Sequence, residues 1–356
     1  MKVRRWLKIG VVWTVEFVVL FAVAEAASVF FLPPALRFYD PQMRMQPNSE
    51  RIYDHEPNQK AFTVDRPFIT NSMGFRDERE VPASKDGEVR ILSIGDSVAV
   101  GLGVSAEETY ARRLEASLRR RYGAVRVINA AVSCYATWQE VNLLKEKGLD
   151  VRPDIVVLEF YWNDLYPRPV NVTPLTRRYT GEHPAWYYGR WLKRSRVLSY
   201  LRERFELVWF KMVPSFDWTQ QEMIYEGRTS PSIEQAYADV AASLEEFKSL
   251  ARRHGFAPVL MIFPMPGQVR RPDALAHMQE RMDAIARRIG LPYIDLLSTM
   301  QDAYVAKRDL YIPWDNTHLS PRGHDLIATV LERYLDQHHL IAPGANRRVA
   351  GARGRP

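Results

Sequence analysis

The stretch "RILSIGDSVAVGLGV", residues 90–104, decides the fold. An apolar run, Ile91 to Ile94, stops abruptly at Gly95-Asp96-Ser97. A short continuous apolar run closed by turn residues suits a strand buried on both faces. Glycines 101 and 103 follow, and residues 107–122 then carry Tyr110, Leu114 and Leu118 at helical spacing. A lone serine at the mouth of such a strand is either part of a tight turn or a nucleophile.

Outward from this stretch the pattern repeats. "VRVINAAV" (125–132), "DIVVLEFY" (154–161), "APVLMIFP" (257–264) and "LPYIDL" (291–296) read as four further strands. Between and after them, residues 234–254, 271–289 and 320–337 read as helices. Ser320 suits an N-cap, with Pro321 at the first helical position. Strands alternating with helices predict an α/β fold: a five-stranded parallel sheet with helices on both faces. In such sheets functional groups collect at the carboxyl ends of the strands, where Ser97 falls.

The chain's two ends explain its charge. Lys2, Arg4, Arg5 and Lys8 open the chain, and Arg347, Arg348, Arg353 and Arg355 close it, with no acid among residues 1–8 or 341–356. These cations outweigh the net charge of +7, so the body is not basic and nucleic acid is excluded as a partner. Cys134 is the single cysteine, which rules out an intramolecular disulfide and a cysteine-based zinc site. Asp40, His55 and Glu56 lack metal-ligand spacing, so no metal is expected.

Residues 1–32 read as a signal anchor. "IGVVWTVEFVVLFAVAEAASVFFL", 9–32, would span roughly 36 Å as a helix, against about 30 Å of hydrocarbon. Basic residues before it keep that end cytoplasmic and send the rest across. "AEA" at 24–26 resembles a signal-peptidase site, so a cleaved signal peptide is the alternative; a buried core helix is a third reading. Glu16 and Glu25 interrupt the apolar run at a cost of up to about 3 kcal/mol each.

Four more segments complete the organisation. Pro33-Pro34 ends the apolar helix, and 33–88, with little periodicity, read as an ordered N-terminal extension. A catalytic domain is expected over 89–340 and a basic tail over 341–356. Residues 168–232 interrupt the strand–helix pattern. In them Trp191, Leu198, Leu201, Phe205, Val208 and Met212 share a helical face, either packed on the core or serving as a lid or interfacial helix.

A serine hydroxyl needs a base, and the base an orienting group. "PWDNTHLSPRGH", 313–324, places Asp315 three residues before His318. Spacing alone is weak, but beside a serine on a parallel sheet it offers both partners. Asn163, after the third strand, can offer a side-chain amide to an oxyanion, and the backbone amides of Ser97 and of the loop near Cys134 can offer two more. Asp96 and Asp164 read as buried or turn carboxylates, and His324 as a packing or capping residue.

Ser97 in "GDS", the loop 129–137, Asn163 in "ND" and the terminal Asp315-x-x-His318, in that order, resemble the SGNH/GDSL hydrolase superfamily over roughly residues 89–340. "NSMGFRD", 71–77, before "RILSIGDS" resembles its membrane-anchored bacterial members. The resemblance implies a flavodoxin-like three-layer α/β/α sandwich and hydrolysis of carboxylic esters without a cofactor. It implies Ser97 as nucleophile, His318 as base and Asp315 as orienter, with Ser97, Cys134 and Asn163 as the oxyanion hole. Two positions depart from the family pattern: Cys134 and Tyr161 stand where glycines are usual. If position 134 needs a positive φ, cysteine is strained there. The α/β-hydrolase alternative wants G-x-S-x-G, and Ala99 replaces its last glycine.

The expected function is therefore an extracytoplasmic, membrane-tethered serine esterase acting on an acylated glycan, lipid or small ester. An O-acyltransferase acting on a polysaccharide and a non-catalytic binding protein of the same fold are the alternatives. Nothing in the sequence sets the oligomeric state.

Overall fold

The computed structural model describes residues 2–31, 41–165, 195–198, 200–201, 216–271, 276–307, 309–312 and 317–341. Asp315, the tail beyond 341, and Trp191, Phe205, Val208 and Met212 of the expected helical face lie outside them. The chain divides into two units, Met1–Phe38 with Glu182–Ser215, and Tyr39–Gly181 with Phe216–Pro356.

In the first unit a helix spans Lys2–Phe31, and its stretch Lys8–Phe31 is long and apolar enough to cross a bilayer. Its aliphatic and aromatic side chains, Trp13, Phe17 and Leu20 among them, point outward and exposed. Glu25, which interrupts the apolar run, is satisfied locally. Its carboxylate accepts from Ser195 Oγ at 2.7 Å and from the backbone N–H groups of Arg196 and Val197.

The second unit is built on a parallel sheet. Its strands are β5 (Val89–Ile94), β6 (Val125–Asn129), β7 (Ile155–Phe160), β8 (Ala257–Ile262) and β9 (Tyr293–Asp295), in the order β6-β5-β7-β8-β9. Every neighbouring pair runs parallel. This is the flavodoxin-like order, with its switch point at the end of β5. Central β7 is buried throughout, as its apolar run Ile155–Leu158 requires, and it carries Glu159 into the interior with it. Right-handed crossovers send helices to opposite faces as the strand order reverses. Helix Tyr110–Tyr122 packs with Pro321–Gln337, and Thr137–Leu143 with Pro231–His254, completing the three layers. Ser320 caps the closing helix as expected, its hydroxyl accepting from the Gly323 N–H.

The structure departs from the sequence reading in detail. The extension contains two antiparallel hairpins: β1 (Met45–Asn48) with β2 (Ile52–His55), and β3 (Lys60–Thr63) with β4 (Arg66–Ile69). Four-residue strands are too short to show alternation, which is why the sequence read as featureless. Met43, Met45, Tyr53, Phe68 and Phe75 join the same core as the sheet. Helix Leu297–Ala306 was not expected, and the helix read over 271–289 begins only at His277, after a separate turn at Pro266–Arg270.

Candidate active site

Ser97 opens a four-residue helix, Ser97–Val100, directly after β5. Asp96 is its N-cap, accepting from the Val98 N–H at 2.7 Å. The first-turn amide of Ser97 has no intrahelical acceptor, which suits it to an incoming oxyanion. The turn demands glycine at 95, because a Cβ there would run into Glu159 of β7 and into Ala99. Gly101, in the left-handed conformation at φ +80, caps the other end.

The structure brings Ser97 and His318 together: His318 Nε2 lies 2.9 Å from Ser97 Oγ. The backbone carbonyl of His318 accepts from the Ile312 N–H at 3.0 Å, tying its loop to the segment before it. Asp315 lies outside the described residues, so its carboxylate is not placed.

The loop after β6 runs beside the nucleophile turn, with the Val132 N–H donating to Gly95 O at 3.0 Å. The Tyr135 N–H donates to Val132 O, closing a four-residue turn over Ser133 and Cys134. Cys134 has φ +61 and Ser133 is not in the positive-φ set, which makes this a type II turn. The position does require positive φ, and a side chain there costs about 1–2 kcal/mol. Asn163, in the turn Trp162–Leu165 after β7, reaches the same loop. Its Nδ2 stands 3.5 Å from Tyr135 O. Three loops from three strand ends thus converge.

Beneath them lie four buried carboxyls: Asp96, Glu140, Glu159 and Asp164. Burial pushes each one up, and neighbouring carboxyls push Glu140, Glu159 and Asp164 further. At Asp96 the Val98 N–H, His318, and the Asn163 and Ser97 side chains oppose the shift. Asp164 accepts from Thr137 Oγ1 at 2.7 Å, linking the two flanking loops. His324 is fully buried, accepts from the Tyr110 N–H through Nδ1, and is held down to about 3 by burial, so it is a neutral packing residue. Among the described residues no group of three or more His, Cys, Asp or Glu side chains could hold a metal ion.

The sequence does not single out Arg76, although it lies in the "NSMGFRD" block, 71–77. The buried guanidinium donates to the carbonyls of Val100, Gly101 and Val104, each at 2.6 Å, behind the nucleophile helix. Asn129 supports the same turn, donating to Ala99 O at 2.8 Å. Only the fold brings these groups together, because the carbonyls lie 24 to 28 residues away from Arg76 and 30 from Asn129.

A flavodoxin-like parallel sheet with a serine–histidine contact at its carboxyl end defines the SGNH class of α/β/α hydrolases. The chain belongs to the GDSL-like Lipase/Acylhydrolase family, which matches residues 93–326, and so to a class of hydrolases acting on ester bonds. Among curated proteins nothing matches it. Among solved structures it is similar to a two-domain esterase active on acetylated mannans, at 18% identity and TM-score 0.43 over 73% of this chain. That match spans 52% of the esterase, so the chain covers about half its length. It is also similar to a lipase/acylhydrolase from Enterococcus faecalis (16%, TM-score 0.41, 70% of this chain and 96% of that one). A third is an acetylxylan esterase from Geobacillus stearothermophilus (16%, TM-score 0.41, 69% and 93%).

Proposed function

We propose that the protein is a membrane-tethered, extracytoplasmic serine esterase that removes O-acyl groups, O-acetyl among them, from a glycan, lipid or small ester. The observation that carries this reading is the 2.9 Å contact between His318 Nε2 and Ser97 Oγ at the carboxyl end of β5. Ser97 Oγ bonds to the ester carbonyl carbon while its proton passes to His318 Nε2. The resulting oxyanion accepts from the amides of Ser97 and Cys134 and from Asn163 Nδ2. Collapse expels the alcohol, which takes the proton from His318 and leaves an acyl-enzyme. Water, deprotonated by His318, then bonds to the acyl carbon; the Ser97 Oγ–acyl bond breaks, Ser97 Oγ recovers its proton from His318, and the acid leaves. In this reading Asp315 has the role of orienting the imidazole through its other nitrogen. Basic residues ahead of the Lys8–Phe31 stretch support export of the domain, and a polysaccharide ester is the preferred substrate.

The test uses the full chain in detergent micelles with a fluorophosphonate, the adduct being located by peptide mass spectrometry. A stoichiometric adduct on Ser97 is expected, absent from Ser97→Ala and His318→Ala. Hydrolysis of a chromogenic acetyl ester should fall about 10⁴-fold or more in both. A folded chain that takes no label overturns the reading in favour of a binding protein. Acyl transfer to an added glycan in place of release to water would make the enzyme a transferase.

A further inference from the structure

The N-terminal extension reaches the oxyanion loop through one side chain. Tyr53, on β2 and 2% exposed, donates its hydroxyl hydrogen to Ser133 O at 2.9 Å. Tyr135 returns the contact, its hydroxyl donating to Tyr53 O at 2.5 Å, and the two rings lie 5.5 Å apart. Gln139 Nε2, one turn further on, holds Arg51 O of the same hairpin at 2.7 Å. The hairpin is therefore clasped to the loop at three points.

Ser133 C=O and Cys134 N–H belong to one peptide unit. That unit is planar and trans, so its oxygen and its hydrogen point in opposite directions, and fixing one fixes the other. It is also the central peptide of the type II turn. Rotating it by half a turn gives a type I turn, in which residue 134 would take a negative φ. Cysteine favours that rotated form, because type II demands the positive φ that glycine tolerates and a side chain does not. After the rotation the Cys134 N–H would face away from the oxyanion. The chain therefore carries a local preference for the wrong turn at the position that must offer the amide, and something outside the turn has to oppose it.

We propose that Tyr53 is the positioning residue that does so: its hydroxyl, bonded to Ser133 O, holds the peptide in the type II form and aims the Cys134 N–H into the oxyanion hole. A bond to the carbonyl also polarises the same amide and strengthens its N–H as a donor. Tyr135, by fixing the Tyr53 backbone, keeps the hydroxyl in register. This inference rests on the esterase reading above.

The test is a double-mutant cycle on the full chain, read by fluorophosphonate labelling rate and by acetyl-ester kinetics. Tyr53→Phe keeps the ring contact and removes only the hydroxyl. It should lower kcat and the labelling rate about 10-fold with KM within about twofold. Cys134→Gly removes the preference for type I, so in that background Tyr53→Phe should lose no more than about twofold. Tyr135→Phe, which keeps the Tyr53 hydroxyl but loosens its strand, should lower kcat in the same sense. If wild type labels on Ser97 but Tyr53→Phe labels as fast, the inference is wrong. The same holds if Tyr53→Phe loses equally much in the Cys134→Gly background, since a merely structural hydroxyl would not sense residue 134. Failure of the wild type to label would instead remove the esterase reading, and this inference with it.

Discussion

At the residue scale, the site depends on donors that can exchange their resting partners for the oxyanion. Asn163 is half-buried and its Nδ2 is held at only 3.5 Å by Tyr135 O. Its side chain also bears on Asp96, so turning to an oxyanion exchanges resting contacts for a charged acceptor. Asn163→Ala should lower kcat by about 10²–10³ while leaving KM nearly unchanged, because the donor acts on charge that appears only in the transition state. Steady-state kinetics on an acetyl ester checks this, and a raised KM with kcat unchanged would reassign Asn163 to ground-state binding. Ser97, Cys134 and Asn163 were named from sequence because each ends a recognisable strand. The grip of Tyr53 on Ser133 spans 80 residues, and no local pattern encodes it.

At the element scale, the nucleophile helix has four residues and cannot hold itself. Asp96 satisfies its N-terminal end, while Arg76 and Asn129 satisfy carbonyls at its C-terminal end. Burial lowers the Arg76 guanidinium to about 10, so it stays charged at neutral pH. Arg76→Met would leave the Gly101 and Val104 carbonyls without their charged donor and the Val100 carbonyl with only a 3.5 Å contact to Asn129. At about 1–3 kcal/mol per orphaned group, a loss of roughly 3–5 kcal/mol is expected, measurable as a lower urea midpoint. A variant as stable as wild type would show that water replaces the guanidinium. The element was legible as strand, turn and helix; its support was not, because Arg76 sits in an extension whose strands are too short to leave a periodicity.

At the scale of the whole molecule, the buried carboxyls beneath the site make stability depend on pH. Glu140 has no hydrogen-bond partner for either carboxyl oxygen among the described residues, and burial pushes it well up, with Asp164 adding to the shift. A carboxyl raised in the folded state contributes stability that is fully present below its unfolded value, near 4.3, and is lost as pH rises through the folded value. Glu140→Gln does not titrate. Its stability relative to wild type should therefore grow with pH from about 5 to 8, by at most about 1.4 kcal/mol per pH unit. Thermal melts across that range test this, and a difference that does not change with pH would mean Glu140 is ionised in the native state. His55, buried and lowered to about 4, works in the opposite direction, as does His324: each withdraws stability as pH falls below about 6.5. Comparing Glu140→Gln with wild type cancels that contribution.

Sequence alone determined the parallel α/β architecture, the serine at the end of its first sheet strand, the histidine in the last loop, and the apolar N-terminal helix. Each is a matter of short-range periodicity, turn chemistry or hydropathy, which a linear pattern records. The tertiary structure decided how those loops are held. It placed Glu159 under Gly95, Arg76 behind the nucleophile helix and Tyr53 against the turn at Cys134. It also placed Ser195 and the Arg196 N–H on Glu25. These contacts join residues from about 24 to 171 positions apart in sequence. The hydrogen bonds among them satisfy groups that local structure leaves unpaired, and which groups those are is known only once the chain has packed.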